Sequence, residues 1–96
     1  MKMLLIIYDV TYDEQVMETL SKCCVTGFTK WEKVLGKGKR SEPKMDDAIW
    51  PGYNCAVMVA AEPELESVLL SSLANLLKEI GDKALKVFAW PLEKVI

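Results

Sequence analysis

Length, composition and charge already exclude several classes of protein. The 96 residues, of which 51% are hydrophobic, suffice for one folded domain with a modest core. A formal net charge of −2 gives no basic excess for binding nucleic acid, and the apolar opening, residues 3–7, is too short for a membrane span or a signal peptide. We therefore expect a single cytoplasmic domain, residues 1–96, that binds no nucleic acid and does not insert into a membrane.

The first half of the chain predicts a strand, a helix and a second strand. Residues 2–9 form a β-run, and Thr11 with Glu14 has the S/T-x-x-E spacing of a capping box that opens a helix. Apolar residues then recur at intervals of three and four, which predicts a helix ending near Val25. After Gly27, residues 28–35 alternate in the manner of a strand with one face on a core.

The second half predicts a strand, a longer helix and a closing strand. Residues 55–61 are almost continuously apolar, which indicates a buried strand, and Pro63 suits the first turn of the helix that follows. Gly81 lies where the left-handed residue at the end of that helix is expected. Residues 85–90 predict the last strand, and Pro91 ends its regular ladder. One face of the second helix is apolar: Leu65, Leu69, Leu73, Leu76 and Ile80.

The order β-α-β-β-α-β predicts an α+β fold of the ferredoxin-like type, an antiparallel sheet with two helices on one face. Strand alternation does not allow all of the large apolar side chains in the strands to lie under the helices. The residues concerned are Trp31, Met58, Phe88 and Trp90. An exposed aromatic face usually marks an interface, so we expect a homo-oligomer.

A long polar loop, residues 36–54, separates the second and third predicted strands. Connections longer than about 12–15 residues are uncommon in compact domains and are usually functional or disordered. The loop begins with two glycines among basic residues, a composition that suits an anion site built from backbone N–H groups and cations. These residues are Gly36, Lys37, Gly38, Lys39, Arg40 and Lys44, and a solvated hinge is the alternative interpretation.

The loop closes on Trp50-Pro51-Gly52, a tryptophan whose direction a Pro-Gly turn would fix. Tryptophan is enriched among binding hot spots, so this segment is a candidate contact for a partner protein. Packing of Trp50 on its own sheet or on a neighbouring subunit is the alternative.

Histidine is absent from the sequence, which removes the commonest general base and every histidine-based triad. The three cysteines, Cys23, Cys24 and Cys55, are an odd number and are expected to be reduced. Cys24 and Cys55 lie in apolar stretches, where cysteine commonly packs as a small hydrophobe. We predict neither a catalytic site nor a metal site.

Several stretches, taken in order, carry a family resemblance. They are the opening strand with its helix, Gly27, the Gly36-Lys37-Gly38 run, and residues 86–96, which are similar to a terminal Lys-Ile-Phe-Val-x-Pro-x-Glu run. Together they resemble the PII signalling superfamily, specifically a divergent PII-like branch, over nearly the whole chain. The family's phosphate-cradling stretch is matched only by Gly81-Asp82 and by Lys86.

The resemblance implies a homotrimer of ferredoxin-like subunits with small ligands in clefts between them. It also implies that segment 36–54 is the flexible T-loop, which engages a target protein such as a membrane transporter. An adenine nucleotide is the ligand that the resemblance suggests. Its expected contacts are Gly36, Lys37, Gly38, Lys39, Arg40 and Lys86, and the expected partner contacts are Trp50, Pro51 and Gly52.

The hypothesis we favour is therefore a non-enzymatic regulator in which ligand binding changes the loop and its affinity for a target. A divalent-metal-handling protein of the cation-tolerance type is one alternative, with Cys23, Cys24, Cys55, Asp46 and Asp47 as candidate ligands. The lack of histidine argues against it. A small ferredoxin-like enzyme is another, but Arg40, the single arginine, lies in the loop, a poor platform for a preorganised site.

Overall fold

The strands and helices follow one another in the predicted order. The computed structural model describes residues 1–39, 42–49 and 51–96. The elements within these residues are β1 Lys2–Asp9, α1 Asp13–Lys22, β2 Thr29–Val34, β3 Asn54–Ala61, α2 Pro63–Ile80 and β4 Leu85–Pro91. The sheet has the order β2-β3-β1-β4, with antiparallel neighbours throughout. The ferredoxin-like α+β prediction is confirmed.

The core lies between the two helices and one face of the sheet. Alternate residues of the central strands β1 and β3 point toward the helices, and both Leu4 and Ile6 have 0% of their surface exposed. The helices contribute the buried residues Val16, Leu20, Leu69, Leu73 and Leu76. The apolar face predicted for α2 is thus confirmed, with Leu65 and Ile80 partly buried toward its two ends.

The two ends of α2 follow the predicted signals. Pro63 lies in the first turn, where its missing N–H removes no intrahelical hydrogen bond. Gly81 follows the last residue with φ of 98° and donates its N–H to the Leu77 carbonyl at 2.9 Å. Neither helix in the described part of the chain has the length and apolar character needed to cross a bilayer.

The start of α1 differs from the capping box predicted at Thr11. A 3-10 turn, Val10–Tyr12, separates β1 from α1, and Asp9 caps that turn by accepting the Thr11 N–H on Oδ1 at 2.8 Å. Tyr12 then precedes α1 and makes no capping hydrogen bond with its side chain. The capping-box prediction is wrong because the 3-10 turn places Thr11 before the helix and not at its N-cap.

The end of α1 lies three residues earlier than predicted, at Lys22. Cys24 has φ of 63°, and the N–H groups of Cys24 and Val25 donate to the carbonyls of Ser21 and Leu20, both at 3.0 Å. This is the Schellman arrangement, in which glycine is the usual left-handed residue. Cys24 is exposed at this helix end, so the prediction that it packs in the core is wrong.

Replacing Cys24 with glycine is expected to stabilise the fold by about 0.5–1 kcal/mol, because glycine adopts positive φ without the steric cost of Cβ. Urea unfolding of the two proteins at equal concentration measures the difference. Cys23, with φ of −84°, provides the matched control, and Cys23→Gly is expected to destabilise. A Cys24→Gly variant no more stable than the parent would contradict this account of the helix end.

A partly buried polar network connects α1 to the sheet. The Tyr8 hydroxyl, on β1, donates to Asp13 Oδ1 at 2.6 Å, and the Lys30 ammonium, on β2, lies 2.8 Å from the same carboxylate. Burial and the Asp13 carboxylate together raise the pKa of Tyr8 well above its ordinary value. Tyr8 therefore stays protonated and keeps its hydrogen on Asp13, the first residue of α1.

The face of the sheet opposite the helices is apolar and uncovered in the single chain. On this surface, the outer face, Leu5 of β1 lies between Met58 of β3 and Phe88 of β4. Trp31, Phe88 and Trp90 are 40–45% exposed there, so the prediction that the large strand residues cannot all lie under the helices is confirmed. The apolar residues of the outer face are Met3, Leu5, Ile7, Trp31, Ala56, Met58, Ala60, Phe88 and Trp90.

Candidate ligand cleft

A cleft of about 820 Å³ opens where three segments of the chain meet. They are the base of the long loop, the end of β1 with its 3-10 turn, and the turn that joins α2 to β4. The lining residues are Asp9, Tyr12, Lys37, Glu42, Pro43, Lys44 and the run 80–84. A ligand in this cleft would contact the loop and the rigid sheet at once.

Backbone hydrogen bonds fold the described part of the loop back on itself near the sheet. Gly36 and Lys44 exchange backbone hydrogen bonds of 2.9 and 2.6 Å, forming an isolated antiparallel bridge. Farther along, the Asp46 N–H donates to the Gly52 carbonyl at 2.9 Å, and the Asp46 carboxylate pairs with Lys33 of β2. These hydrogen bonds close two successive stretches of the loop, residues 36–44 and 46–52, and the first of them brings Lys44 back beside the start of the loop.

Asp9 and Lys44 form an ion pair on the cleft wall. The Lys44 ammonium contacts Asp9 Oδ2, and the two side chains are only 26% and 20% exposed. Burial disfavours the charged carboxylate, but the Lys44 ammonium and the Thr11 N–H outweigh it and hold the pKa of Asp9 below its ordinary value. Asp9 is therefore ionised at neutral pH and neutralises Lys44.

Cationic and anionic side chains balance in the described lining of the cleft: Lys37, Lys44 and Lys83 against Asp9, Glu42 and Asp82. Because Lys44 is paired with Asp9, Lys37 and Lys83 are the exposed ammonium groups that an anion would meet there. Tyr12 and Ile80 add partly buried apolar surface. This arrangement suits an organic anion, with a charged group near the lysines and a flat apolar part on Tyr12 and Ile80.

Backbone hydrogen bonds connect the α2–β4 turn to the end of β1. The Ala84 N–H donates to the Gly81 carbonyl at 3.3 Å, and the Asp9 N–H donates to the Ala84 carbonyl at 3.0 Å. Because Gly81 has a positive φ, this turn follows a course that other residues adopt only with strain. The turn and the end of β1 therefore form one wall of the cleft.

The predicted ligand residues of the loop occupy different positions relative to the cleft. Lys37 lines the cleft, and its ammonium lies 3.4 Å from the Gly38 carbonyl oxygen. Gly36 forms the bridge at the loop base, and Lys39 is exposed without lining the cleft. Arg40 lies outside the described residues.

Lys86, the remaining predicted ligand residue, does not line the cleft within one subunit. It lies on β4 opposite Ile7, so its side chain is on the same side of the sheet as the outer face. Asp9 is two residues farther along β1 and bonds to Ala84, which makes Lys86 its diagonal neighbour. Lys86 thus occupies the rim between the outer face and the cleft.

The predicted partner residues are only partly described. Trp50 lies outside the described residues. Pro51 is exposed, and Gly52 adopts φ of 87° while it accepts the hydrogen bond from Asp46. Ile49 is 78% exposed, so the described part of the loop end presents apolar surface to solvent.

Sequence reasoning missed Asp9, Tyr12 and Lys83 as cleft residues. A signal for them existed in the predicted topology, because β1 and β4 are adjacent and antiparallel in a ferredoxin-like sheet. The end of β1 must then lie beside the start of β4, which places Asp9 next to the turn that carries Lys83. The position of the loop base over this corner required the structure.

The candidate metal ligands do not come together. Among residues 1–39, 42–49 and 51–96, no group of three or more His, Cys, Asp or Glu residues is placed to hold a metal ion. All three cysteines are free thiols. Cys55 is buried as predicted and donates to the Glu32 carbonyl at 3.2 Å, and its burial raises the pKa of the thiol. Cys23 lies 3.4 Å from the Ser72 hydroxyl oxygen.

Comparison with known proteins identifies the family. The family model "Nitrogen regulatory protein P-II" matches residues 1–96, whereas no curated protein matches the chain. CPII from Thiomonas intermedia K12, in a structure bound to ADP and bicarbonate, is 21% identical with a TM-score of 0.73, over 93% of this chain and 82% of that one. Another CPII structure, bound to ADP, AMP and bicarbonate, is also 21% identical with a TM-score of 0.73, over 93% of this chain and 82% of that one.

A third solved structure extends the likeness over more of the chain. A DUF3240 family protein from Shewanella baltica OS155 is 16% identical with a TM-score of 0.73, over 98% of this chain and 91% of that one. At these identities the structures show the shared fold, and the family match covers every residue. The chain belongs to the nitrogen regulatory protein P-II family.

Proposed function

We propose that this chain is a PII-like regulatory protein that binds an adenine nucleotide in the cleft and contacts a target protein through loop 36–54. The observation that carries the proposal is the position of the cleft, which joins the loop base to the α2–β4 turn. A ligand bound there alters the loop directly, because Lys37 and Lys44 belong to both. CPII, which shares the fold, has been solved bound to ADP.

The cleft offers a nucleotide the two kinds of contact that it needs. Lys37 and Lys83 provide exposed ammonium groups for phosphate oxygens, and hydrogen bonds between charged partners are the stronger ones. Tyr12 and Ile80 provide apolar surface for the adenine ring of the nucleotide. The neighbouring residues Gly36, Gly38, Lys39 and Arg40 complete the predicted anion site at the mouth of the loop.

The uncovered outer face supports a homotrimer as the working form of this cytoplasmic protein. Its apolar residues form a contiguous surface across the strands, and exposed apolar surfaces of this kind often mark an interface. Association through this face also brings the rim residue Lys86 close to a subunit boundary. Lys86 then adds a cation to a cleft formed between subunits.

The loop end provides the contact with the target, which we infer to be a protein such as a membrane transporter. Trp50, Pro51 and Gly52 are the predicted contacts. The neighbouring Ile49, 78% exposed, and Met45, 40% exposed, extend them with apolar surface that a partner would bury.

Isothermal titration of ADP into the wild-type oligomer tests the nucleotide proposal. Lys37→Ala and Lys83→Ala are each expected to weaken binding roughly tenfold, because each removes one ammonium partner of the phosphates. Lys22→Ala, at the end of α1 and outside the cleft, is the matched control and is expected to bind as the parent does. Absence of ADP binding by the wild-type oligomer, or equal affinity of all variants, would contradict the proposal.

A further inference from the structure

Asp9 and Lys44 suggest how binding in the cleft is transmitted to the loop, an inference that rests on the proposed function. We propose that these two residues form a charge latch, in which an anionic group of the ligand replaces the Asp9 carboxylate as the partner of Lys44. The exchange frees the loop base from β1. The latch therefore sets both the affinity of the cleft for anions and the position of the loop.

The Asp9 side of the latch is rigid. Asp9 ends β1, its backbone N–H donates to the Ala84 carbonyl at 3.0 Å, and its Oδ1 accepts the Thr11 N–H at 2.8 Å. Only Oδ2 contacts Lys44. The Asp9 backbone is thus fixed by the α2–β4 turn and its carboxylate by the 3-10 turn, so the carboxylate does not need Lys44 to keep its orientation.

The Lys44 side of the latch belongs to the loop. Its backbone exchanges hydrogen bonds of 2.9 and 2.6 Å with Gly36, the first residue of the loop, so a displacement of Lys44 acts directly on this bridge. The stem of the Lys44 side chain also passes beside Gly52, near the end of the loop. A displacement of the Lys44 ammonium is therefore transmitted to both the start and the end of the loop.

An anion that enters the cleft meets both members of the latch. The ammonium attracts it, whereas the Asp9 carboxylate repels it and competes for the same ammonium. Lys37 on the loop and Lys83 on the α2–β4 turn, which both line the cleft, give the anion the additional attraction needed to displace the carboxylate. Because ligand and latch exclude each other, ligand binding shifts the population toward the released loop base.

The Asp9→Asn variant tests the latch because asparagine keeps the shape and the Oδ1 acceptor for Thr11 but loses the charge. It is expected to bind ADP roughly threefold to tenfold more tightly than the parent. In the absence of ligand, hydrogen exchange at the Gly36, Lys44 and Asp46 amides is expected to rise to the level of the ADP-bound parent, because a loop that Lys44 no longer holds on β1 opens its own backbone hydrogen bonds more often. Lys44→Met is expected to raise the same exchange and to weaken ADP binding.

Asp46→Asn is the matched control, since it removes a second loop carboxylate that pairs with a lysine, Lys33, but does not line the cleft. It is expected to leave the affinity for ADP unchanged. If Asp9→Asn binds ADP no better than the parent, or leaves loop-base exchange unchanged while circular dichroism shows a folded protein, the latch is refuted.

The experiment also separates the latch from the nucleotide proposal. If the wild-type protein fails to bind ADP, the proposed ligand is wrong, and inorganic pyrophosphate replaces ADP as the anionic probe. Hydrogen exchange of the ligand-free Asp9→Asn variant and of its parent then still tests the latch. A rise at Gly36 and Lys44 in Asp9→Asn supports it, and unchanged exchange overturns it.

Discussion

Replacing Phe88 with glutamate is expected to convert the assembled protein into monomers. Phe88 lies opposite Leu5 on the outer face and is 45% exposed in the single chain. If that face is buried between subunits, each chain would place an unpaired carboxylate in an apolar contact, at a cost of several kcal/mol per carboxylate. Sedimentation equilibrium distinguishes a 10.8 kDa chain from an assembly of several.

Val68 supplies the control for this experiment. It is a similarly exposed apolar residue, 52% accessible, but it lies on α2, on the helical side of the molecule. Val68→Glu is expected to leave the assembled mass unchanged. An unchanged mass for Phe88→Glu, or a monomeric parent, would show that the outer face is not the subunit interface.

Replacing Asp13 with alanine is expected to lower the free energy of unfolding by about 2–4 kcal/mol. The change leaves the buried Tyr8 hydroxyl without its acceptor and the Lys30 ammonium without its counter-charge. It also removes an acidic residue from the first turn of α1. Denaturant unfolding at equal protein concentration measures the loss, because the stability of an oligomer depends on concentration.

The Asp13 carboxylate also makes the free energy of unfolding depend on pH. Burial disfavours ionised Asp13, but the Lys30 ammonium and the Tyr8 hydroxyl outweigh it and hold its pKa below the ordinary value of 3.8. A lowered pKa means that the stabilisation is present above pH 3.8 and is lost as the pH falls below it, through the folded-state value. The loss on Asp13→Ala should therefore shrink in acid.

Tyr8→Phe serves as the control, since it removes the hydroxyl together with its need for an acceptor. Tyr8→Phe is expected to lower the free energy of unfolding less than Asp13→Ala does. The double variant is expected to lower it by less than the sum of the two single changes. An Asp13→Ala protein within about 0.5 kcal/mol of the parent, the usual range for surface substitutions, would show that the network contributes little.

The order of elements could be predicted from the sequence because its signals are local and strong. The spacing of leucines along α2, with Pro63 and Gly81 at its ends, corresponds to the observed helix. The outer face followed from strand alternation, since Trp31 and Phe88 occupy positions that the register turns away from the helices. Both predictions rest on periodicities of the backbone itself.

The ends of α1 and the composition of the cleft could not be predicted in this way. Thr11 has the spacing of a cap, but the 3-10 turn gives the capping role to Asp9. Cys24 is in the left-handed conformation, which its residue type does not indicate. The cleft joins Lys44 to Asp9, 35 residues apart, so it depends on how the loop folds back on the sheet.

The described lining of the cleft in one subunit has equal numbers of lysines and acidic residues, whereas the proposed anion site also includes the cations Lys39, Arg40 and Lys86. Long-range attraction of an anion would then come mainly from these additional cations, and it would weaken as salt screens them. The lining would hold the bound ligand by short-range contact, which salt screens much less. Ionic strength would therefore change the rate of ligand capture more than the rate of ligand release.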